Sequence, residues 1–250
     1  MKLNRIIFCI MFLFGSVTAL FAETTMPIPK ISMGVGQAET PQDLVSSLQI
    51  LLILTVLTLA PSIIIMTTSF IRVTIVLHFT RQALGLQQVP PNQVLIGLAI
   101  FLTFFIMRPT FDQVMETGIN PYMEKKITQK EMFQNVEKPI KLFMLKQTRT
   151  KDLEMFLKLA KVAPPSNRKE LPISVVLPAF VIGEITRGFE IGILIYIPFI
   201  IIDMVVSTIL MSLGMMMLPP VSISLPFKLL LFVTVDGWNL IIDSLVRSFN

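Results

Sequence analysis

The sequence predicts an all-α protein of the integral membrane type. It comprises about four long, proline-broken apolar helical units and one polar, amphipathic helical segment. Three observations carry that prediction. Apolar residues make up 53% of the 250 residues and charged residues only 15%, against roughly 25% charged in soluble domains, and mean hydropathy is +0.75. Residues 171–235 carry only five charges, Glu184, Arg187, Glu190, Asp203 and Lys228. Between Asp43 and Arg72 there is none. Runs of this length cross bilayers as helices, because a helix satisfies its own backbone polar groups.

Residues 1–22 read as a cleaved signal peptide. Lys2 and Arg5 supply the positive start, residues 6–14 the apolar core, and Ala19 or Ala22 the small residue before cleavage. A loose Pro/Gly/Thr segment, 23–43, is expected to be flexible. The first apolar helical pair occupies 44–111. Its first member, 44–66, is long enough to span, with Pro61 inside it. A polar connector with Arg72, His78 and Arg81 ends at Pro90-Pro91-Asn92, a helix-start signal because proline fits the first turn. The second member, 94–107, is only 14 apolar residues. It is short for a span unless Gln82 to Val89 is added or partners bury it.

Residues 112–170 hold 12 Lys/Arg against 8 Asp/Glu, so most of the net charge of +5 lies here. Ile140, Phe143, Met144 and Gln147 fall at offsets 0, 3, 4 and 7, and Leu153, Phe156, Leu157 and Ala160 repeat the spacing, which predicts two amphipathic helices. Phe143 and Phe156 are the largest side chains on those faces. They either pack a small helical subdomain or meet another subunit. The second apolar pair and the C-terminal tail fill 171–250, with apolar runs at 171–202 and 204–226 and an amphipathic tail at 227–250.

Glu184, Arg187 and Glu190 stand three apart within the apolar run. On a helix they lie within about 120° of one another, where each carboxylate can pair with the arginine. A charge at the bilayer centre costs ~3 kcal/mol on insertion scales, so the stripe is expected to face protein or water. Gly183 and Gly188 beside it permit close helix approach. The expected role of the three charges is subunit assembly, with a purely intrahelical pair as the plainer reading. Met215, Met216 and Met217 fan over about 200° of a helix, so they cannot all serve one core face. Gly214 before and Pro219-Pro220 after favour a turn there.

The chemistry left to an enzyme is thin. His78 is the only histidine, and the only cysteine, Cys9, lies in the signal segment. No catalytic, metal or cofactor site is expected. A cleaved signal followed by two spans places 112–170 outside the cytoplasm, against the positive-inside tendency, which weakens for loops of ~60 residues. We follow the signal, because these apolar units are poor lipid spans: short, proline-bearing or charge-bearing.

Several long strings resemble one family. Thr68-Ser69-Phe70-Ile71-Arg72, Pro90-Pro91-Asn92-Gln93-Val94-Leu95-Ile96-Gly97-Leu98, Phe101-Leu102-Thr103-Phe104-Phe105-Ile106-Met107 and Phe143-Met144-Leu145-Lys146-Gln147-Thr148-Arg149 are similar to the FliP family of flagellar biosynthetic proteins. So are Leu177-Pro178-Ala179-Phe180, Gly188-Phe189-Glu190-Ile191-Gly192, Ile197-Pro198-Phe199, Leu213 to Pro220 and Val235-Asp236-Gly237-Trp238. Gly183 stands where this family is expected to carry serine or threonine, and Ile193 where it carries leucine or phenylalanine.

The resemblance implies a structural, non-catalytic subunit of the flagellar type III export gate in the bacterial inner membrane, at the flagellar basal body. In that family several copies, five in the assembled complex, join FliQ and FliR in a helical, mostly extramembrane channel for unfolded flagellar proteins. No nucleic acid is involved. It also implies that Met215, Met216 and Met217 form a soft gasket in the pore. Flexible, unbranched thioethers can seal against small solutes and still yield to a passing chain. The competing reading is a small secondary transporter or ion channel that uses Glu184, Arg187, Glu190 and Asp203 as its ion path. Such transporters usually carry paired broken helices in matching halves, and no such internal symmetry is visible.

Overall fold

The computed structural model describes residues 41–162, 165, 167–215 and 218–249. Residues 1–22, expected as a signal peptide, and most of 23–43, expected as a loose segment, lie outside them. The chain divides into two units, residues 1–52 and 53–250. Every regular element among the described residues is helical. The helices are α1 (Pro41–Thr67), α2 (Phe70–Ala83), α3 (Asn92–Val114), α4 (Asn120–Met123), α5 (Gln129–Gln147), α6 (Thr150–Ala160), α7 (Ile173–Ser212), α8 (Pro220–Thr234) and α9 (Gly237–Arg247).

The stretch expected as a polar connector is α2, and its centre is core. Arg72, Val73, Val76, Leu77, Thr80 and Ala83 are buried. Their offsets of 0, 1, 4, 5, 8 and 11 form one helical stripe, which Arg72, His78 and Arg81 disguise as a loop. The following unit also differs from expectation. It does not recruit Gln82 to Val89, which lie at the end of α2 and in the turn after it. It starts at Asn92, directly after Pro91 as the Pro-Pro-Asn signal predicts, and runs forward through Pro109. A π-helical turn at Met115–Ile119 joins it to α4. Asn135 on α5 donates from Nδ2 to the carbonyl of Thr117 in that turn at 3.0 Å.

The two amphipathic helices form where the spacing predicts. α5 opens with a capping box. Thr128 Oγ1 accepts from the Glu131 N–H, and the Glu131 carboxylate accepts from the Thr128 N–H at 2.8 Å. These hydrogen bonds hold the Glu131 carboxyl below its ordinary range. A depressed folded value means that the cap contributes above the unfolded pKa and is lost as pH falls through the folded one. Thr128→Ala should cost about 1 kcal/mol. Hydrogen exchange at the first turn of α5 should rise in that variant at neutral pH, and in the parent only in acid.

Prolines do not divide the last apolar stretch. α7 is one helix of 40 residues that runs through Pro178 and Pro198. Each proline removes a ladder hydrogen bond, but Val175, Val176, Ala179 and Phe180 around the first and Phe199 beside the second are buried and hold the axis. Residues 204–212, expected to begin the fourth unit, complete α7, because no glycine or proline intervenes before Gly214. The fourth unit is a bent pair, α8 and α9, at 64° to each other. Pro226 and Phe227 lie inside α8, so the amphipathic tail is confined to α9.

Three buried clusters hold the larger unit. Met144, Leu145, Leu153 and Leu157 of α5 and α6 meet Val176 and Phe180 of α7. Val73, Val76 and Leu77 of α2 meet Leu95 and Ala99 of α3, together with Leu245 and Phe249. Ala83 and Leu84 meet Phe199 and Phe232. α2 lies close on α7 because Gly188 and Gly192 present no side chain. A Cβ on Gly192 would stand 2.5 Å from Phe79 Cγ, and one on Gly188 2.9 Å from Ile75 Cγ2. The close approach expected at Gly188 is thus made within the chain, whereas a Cβ on Gly183 would meet only Asp152 Oδ2 at 3.4 Å.

Candidate functional site: the buried charges and the methionine turn

Arg72 and Glu184 have fully buried side chains. A charge pair so placed persists only if the rest of its hydrogen-bonding capacity is met, and here it is. Arg72 Nε donates to Glu184 Oε2 at 3.0 Å, and Nη2 donates to Glu184 Oε1. Nη2 also reaches Gln147 Oε1 at 3.2 Å, while Nη1 donates to the carbonyl and hydroxyl of Ser248, both at 3.0 Å. All five guanidinium N–H groups therefore have acceptors. The guanidinium carbon lies 3.8 Å from the Phe249 ring centroid, and Gln147 Nε2 donates to the Phe249 carbonyl at 2.8 Å. One arginine ties α2, α5 and α7 to the chain end.

The stripe on α7 is not paired along its own helix. Glu184 faces Arg72. Arg187 donates to Gln147 Oε1 at 3.4 Å. Glu190, whose side chain is 61% exposed, accepts from Arg149 at 3.3 Å. Arg149 is itself committed to Asp152 through bonds of 2.7 and 3.3 Å. The three stripe residues thus grade from a closed interior network at Glu184 to the surface at Glu190.

Farther along α7, Asp203 accepts from Lys228 Nζ and Ser224 Oγ, both at 2.5 Å, and Lys228 also reaches the Ala83 carbonyl at 3.4 Å. This pair braces α7 against α8 on either side of the segment that carries the methionines. That segment follows a built stop. Gly214 takes φ +75°, its N–H donates to the Met211 carbonyl, and the Met215 N–H donates to the Leu210 carbonyl, both at 3.0 Å. This is a Schellman ending, which needs a residue tolerant of left-handed backbone at Gly214. α8 restarts at Pro220. Met215 is exposed in the turn, whereas Met216 and Met217 lie outside the described residues.

Phe143 and Phe156 are half-buried against the chain's own core. The Phe143 ring packs edge-on to Phe180 at 5.9 Å and stacks on Phe249 at 6.3 Å. The apolar side chains that these two helices present outward are instead Phe133, Leu142, Met155 and Leu159. Sequence spacing passed over Arg72, Gln147 and Ser248 as partners of Glu184, and left Asp203 and Lys228 as separate charges. The one available signal was a lone arginine directly after a long uncharged run.

Fold and site together define an all-helical protein of the integral membrane type, with Arg72, Asp152, Glu184 and Lys228 buried in its interior. Among the described residues, three helices are long and apolar enough to cross a bilayer, or four if the bent pair is one span. The FliP family matches residues 53–245. Flagellar biosynthetic protein FliP of Bacillus subtilis (strain 168) is 52% identical over 87% of this chain and 98% of its own length. The FliP proteins of Caulobacter vibrioides (48%; 94% and 89% covered) and Aquifex aeolicus (50%; 89% and 92% covered) are similar to the same extent. The chain belongs to the FliP family of flagellar biosynthetic proteins.

Proposed function

We propose that this chain is a structural pore subunit of the flagellar type III export gate. In this reading it assembles in several copies, five in the complete ring, with FliQ and FliR in the bacterial inner membrane, and residues 112–170 lie on the periplasmic side. Unfolded flagellar proteins are its cargo, and it performs no catalysis. The observation that carries the reading is the outer surface of α7, whose most apolar 18-residue window is only 11% buried within the chain. Exposed Phe101, Phe104 and Phe105 on α3 add to it. Such faces demand lipid or other subunits.

Within that reading, Met215, Met216 and Met217 form the pore gasket, and Glu184, Arg187 and Glu190 are assembly charges with divided roles. Glu184 fixes the position of α7 through Arg72, and the more exposed Arg187 and Glu190 meet the neighbouring subunit. Phe143 and Phe156 support subunit contact by holding α5 and α6 so that Leu142 and Met155 face outward. Phe143→Ala should then leave a protease-resistant monomer that no longer oligomerises. A monomer that is simply degraded would assign the ring to core packing alone.

Co-expression with FliQ and FliR tests the proposal. The three chains should co-purify in mild detergent as one particle. Recovery of this chain alone, in every detergent that keeps it folded, would contradict the reading. A transporter that used Asp203 or Glu190 as an ion path would instead conduct as an isolated chain and lose conduction on Glu190→Gln.

A further inference from the structure

We propose that Ser248-Phe249, directly after α9, is a strap that closes the Arg72–Glu184 cage and, through Gln147, sets Arg187 for assembly. Arg187 enters here as the assembly charge proposed above; the strap itself does not depend on that role. Both N–H groups of Arg72 Nη1 are committed to the strap. The Ser248 carbonyl and hydroxyl each accept at 3.0 Å. The Phe249 ring covers the guanidinium and is itself buried. The other three N–H groups go to Gln147 on α5 and Glu184 on α7. Without the strap, two donors of a buried cation would face no acceptor, and each such bond shifts an equilibrium about tenfold or more.

Gln147 carries the effect outward. A side-chain amide has one acceptor end and one donor end, so its contacts fix which way it points. Nε2 donates to the Phe249 carbonyl at 2.8 Å, which leaves Oε1 to accept from Arg72 at 3.2 Å and from Arg187 at 3.4 Å. Turning the amide over would set its NH2 against two guanidinium groups. The strap carbonyl thus holds in place the one oxygen that joins the buried cage to half-buried Arg187. One turn earlier on α5, Phe143 stacks on the Phe249 ring.

Chain order makes this a device rather than one more core contact. α2, α5 and α7 supply the other walls of the cage, and α1 to α9 all precede Ser248 in the chain. During synthesis Arg72 and Glu184 can meet, but the cage stays open on its Nη1 side until residues 248 and 249 arrive. The backbone bonds of the strap are local, to carbonyls of Ser244, Leu245 and Val246. What ties it to the rest of the chain is the cage and the apolar cluster around Phe249. A chain that has not reached Phe249 therefore leaves Arg187 unset.

Amide hydrogen exchange on the full chain in mild detergent tests the strap. Strap and cage should open together, so the Phe249 amide should exchange within about tenfold of the rate at Leu77 in α2. A Phe249 amide that exchanges faster than that frays on its own and overturns the strap. Stopping the chain after Arg247 should speed exchange at Leu77 about a hundredfold, because two bonds to a buried charge are lost. In the Arg72→Met, Glu184→Met background the same truncation should cost less than about tenfold, since no guanidinium is left to satisfy. An equal cost in both backgrounds would mean ordinary packing and would also overturn it. If the truncated chains do not fold, Ser248→Ala reads the same coupling, with an effect in the parent and none in the double-methionine background.

Assembly is read separately, by the yield of the multi-copy particle on co-expression with FliQ and FliR. The chain stopped after Arg247 should lose that particle, and Gln147→Glu should restore it. A carboxylate has no donor end to be turned over, so it offers oxygens to both arginines without the strap. A truncated chain that assembles as well as the parent, or a rescue that fails, would refute the link to Arg187. A parent that forms no multi-copy particle, with the exchange results as expected, would count against the gate reading and leave the strap standing.

Discussion

Glu184→Ala is expected to destabilise the chain by about 3–5 kcal/mol, because Arg72 would stay buried and charged with its main partner gone. That is a large share of the ~5–15 kcal/mol that holds most domains folded. The loss should appear first as a lower melting temperature and lower detergent-stable yield of the monomer, and only then as a failure to assemble. Arg72→Ala should do similar damage, since it leaves the carboxylate unpaired. The informative variant is the double replacement Arg72→Met with Glu184→Met. It removes both charges and fills the space with apolar volume, and replacing a buried pair in this way is often neutral or stabilising. It should be more stable than either single alanine variant. If Glu184→Ala yields a monomer as stable as the parent, the Arg72 network does not hold the helices together.

The second large effect is expected at the methionine turn. Replacing Met215, Met216 and Met217 together with alanine removes three flexible thioethers. The flanks of the triplet, the Schellman ending at Gly214 and the restart at Pro220, do not depend on those side chains. Folding and assembly should therefore persist while the barrier fails. Cells that express the full gate with this variant should leak small solutes, whereas the parent should not. An assembled triple-alanine gate with an unchanged permeability barrier would dismiss the gasket. The Asp203–Lys228 brace offers a separate control, because Lys228→Ala should disturb the spacing of α7 and α8 and leave the methionines in place.

The sequence was informative where structure depends on local chemistry. The start of α3 after Pro91, the two amphipathic helices and the break after Gly214 each follow from a few neighbouring residues, and each stands where the local pattern puts it. It was uninformative where the partner is remote. Glu184 has Arg187 only three residues away, and such a pair on a helix surface is worth about 0.2–0.5 kcal/mol. Arg72 lies 112 positions away, yet it brings a complete set of five bonds and a buried setting, so the remote partner prevails. The same cause hid α2: its buried arginine reads as solvent-facing until Glu184, Gln147 and Ser248 are seen around it. Phe143 was legible as an anchor but not in its direction, because helical spacing defines a face without saying whose core that face meets. Pro178 and Pro198 were legible as defects, yet Val176, Phe180 and Phe199 keep α7 continuous through them.

The central claim is that this chain acts as one of several copies around a shared channel. The most direct test is the mass of the particle that it forms with its partner subunits in mild detergent, measured with no cross-linker. The account predicts a particle containing several copies of this chain, of 28.2 kDa before any signal cleavage, which falls apart when Arg187 and Glu190 are both replaced by alanine. A particle that holds a single copy, and that conducts ions without any partner, would contradict it.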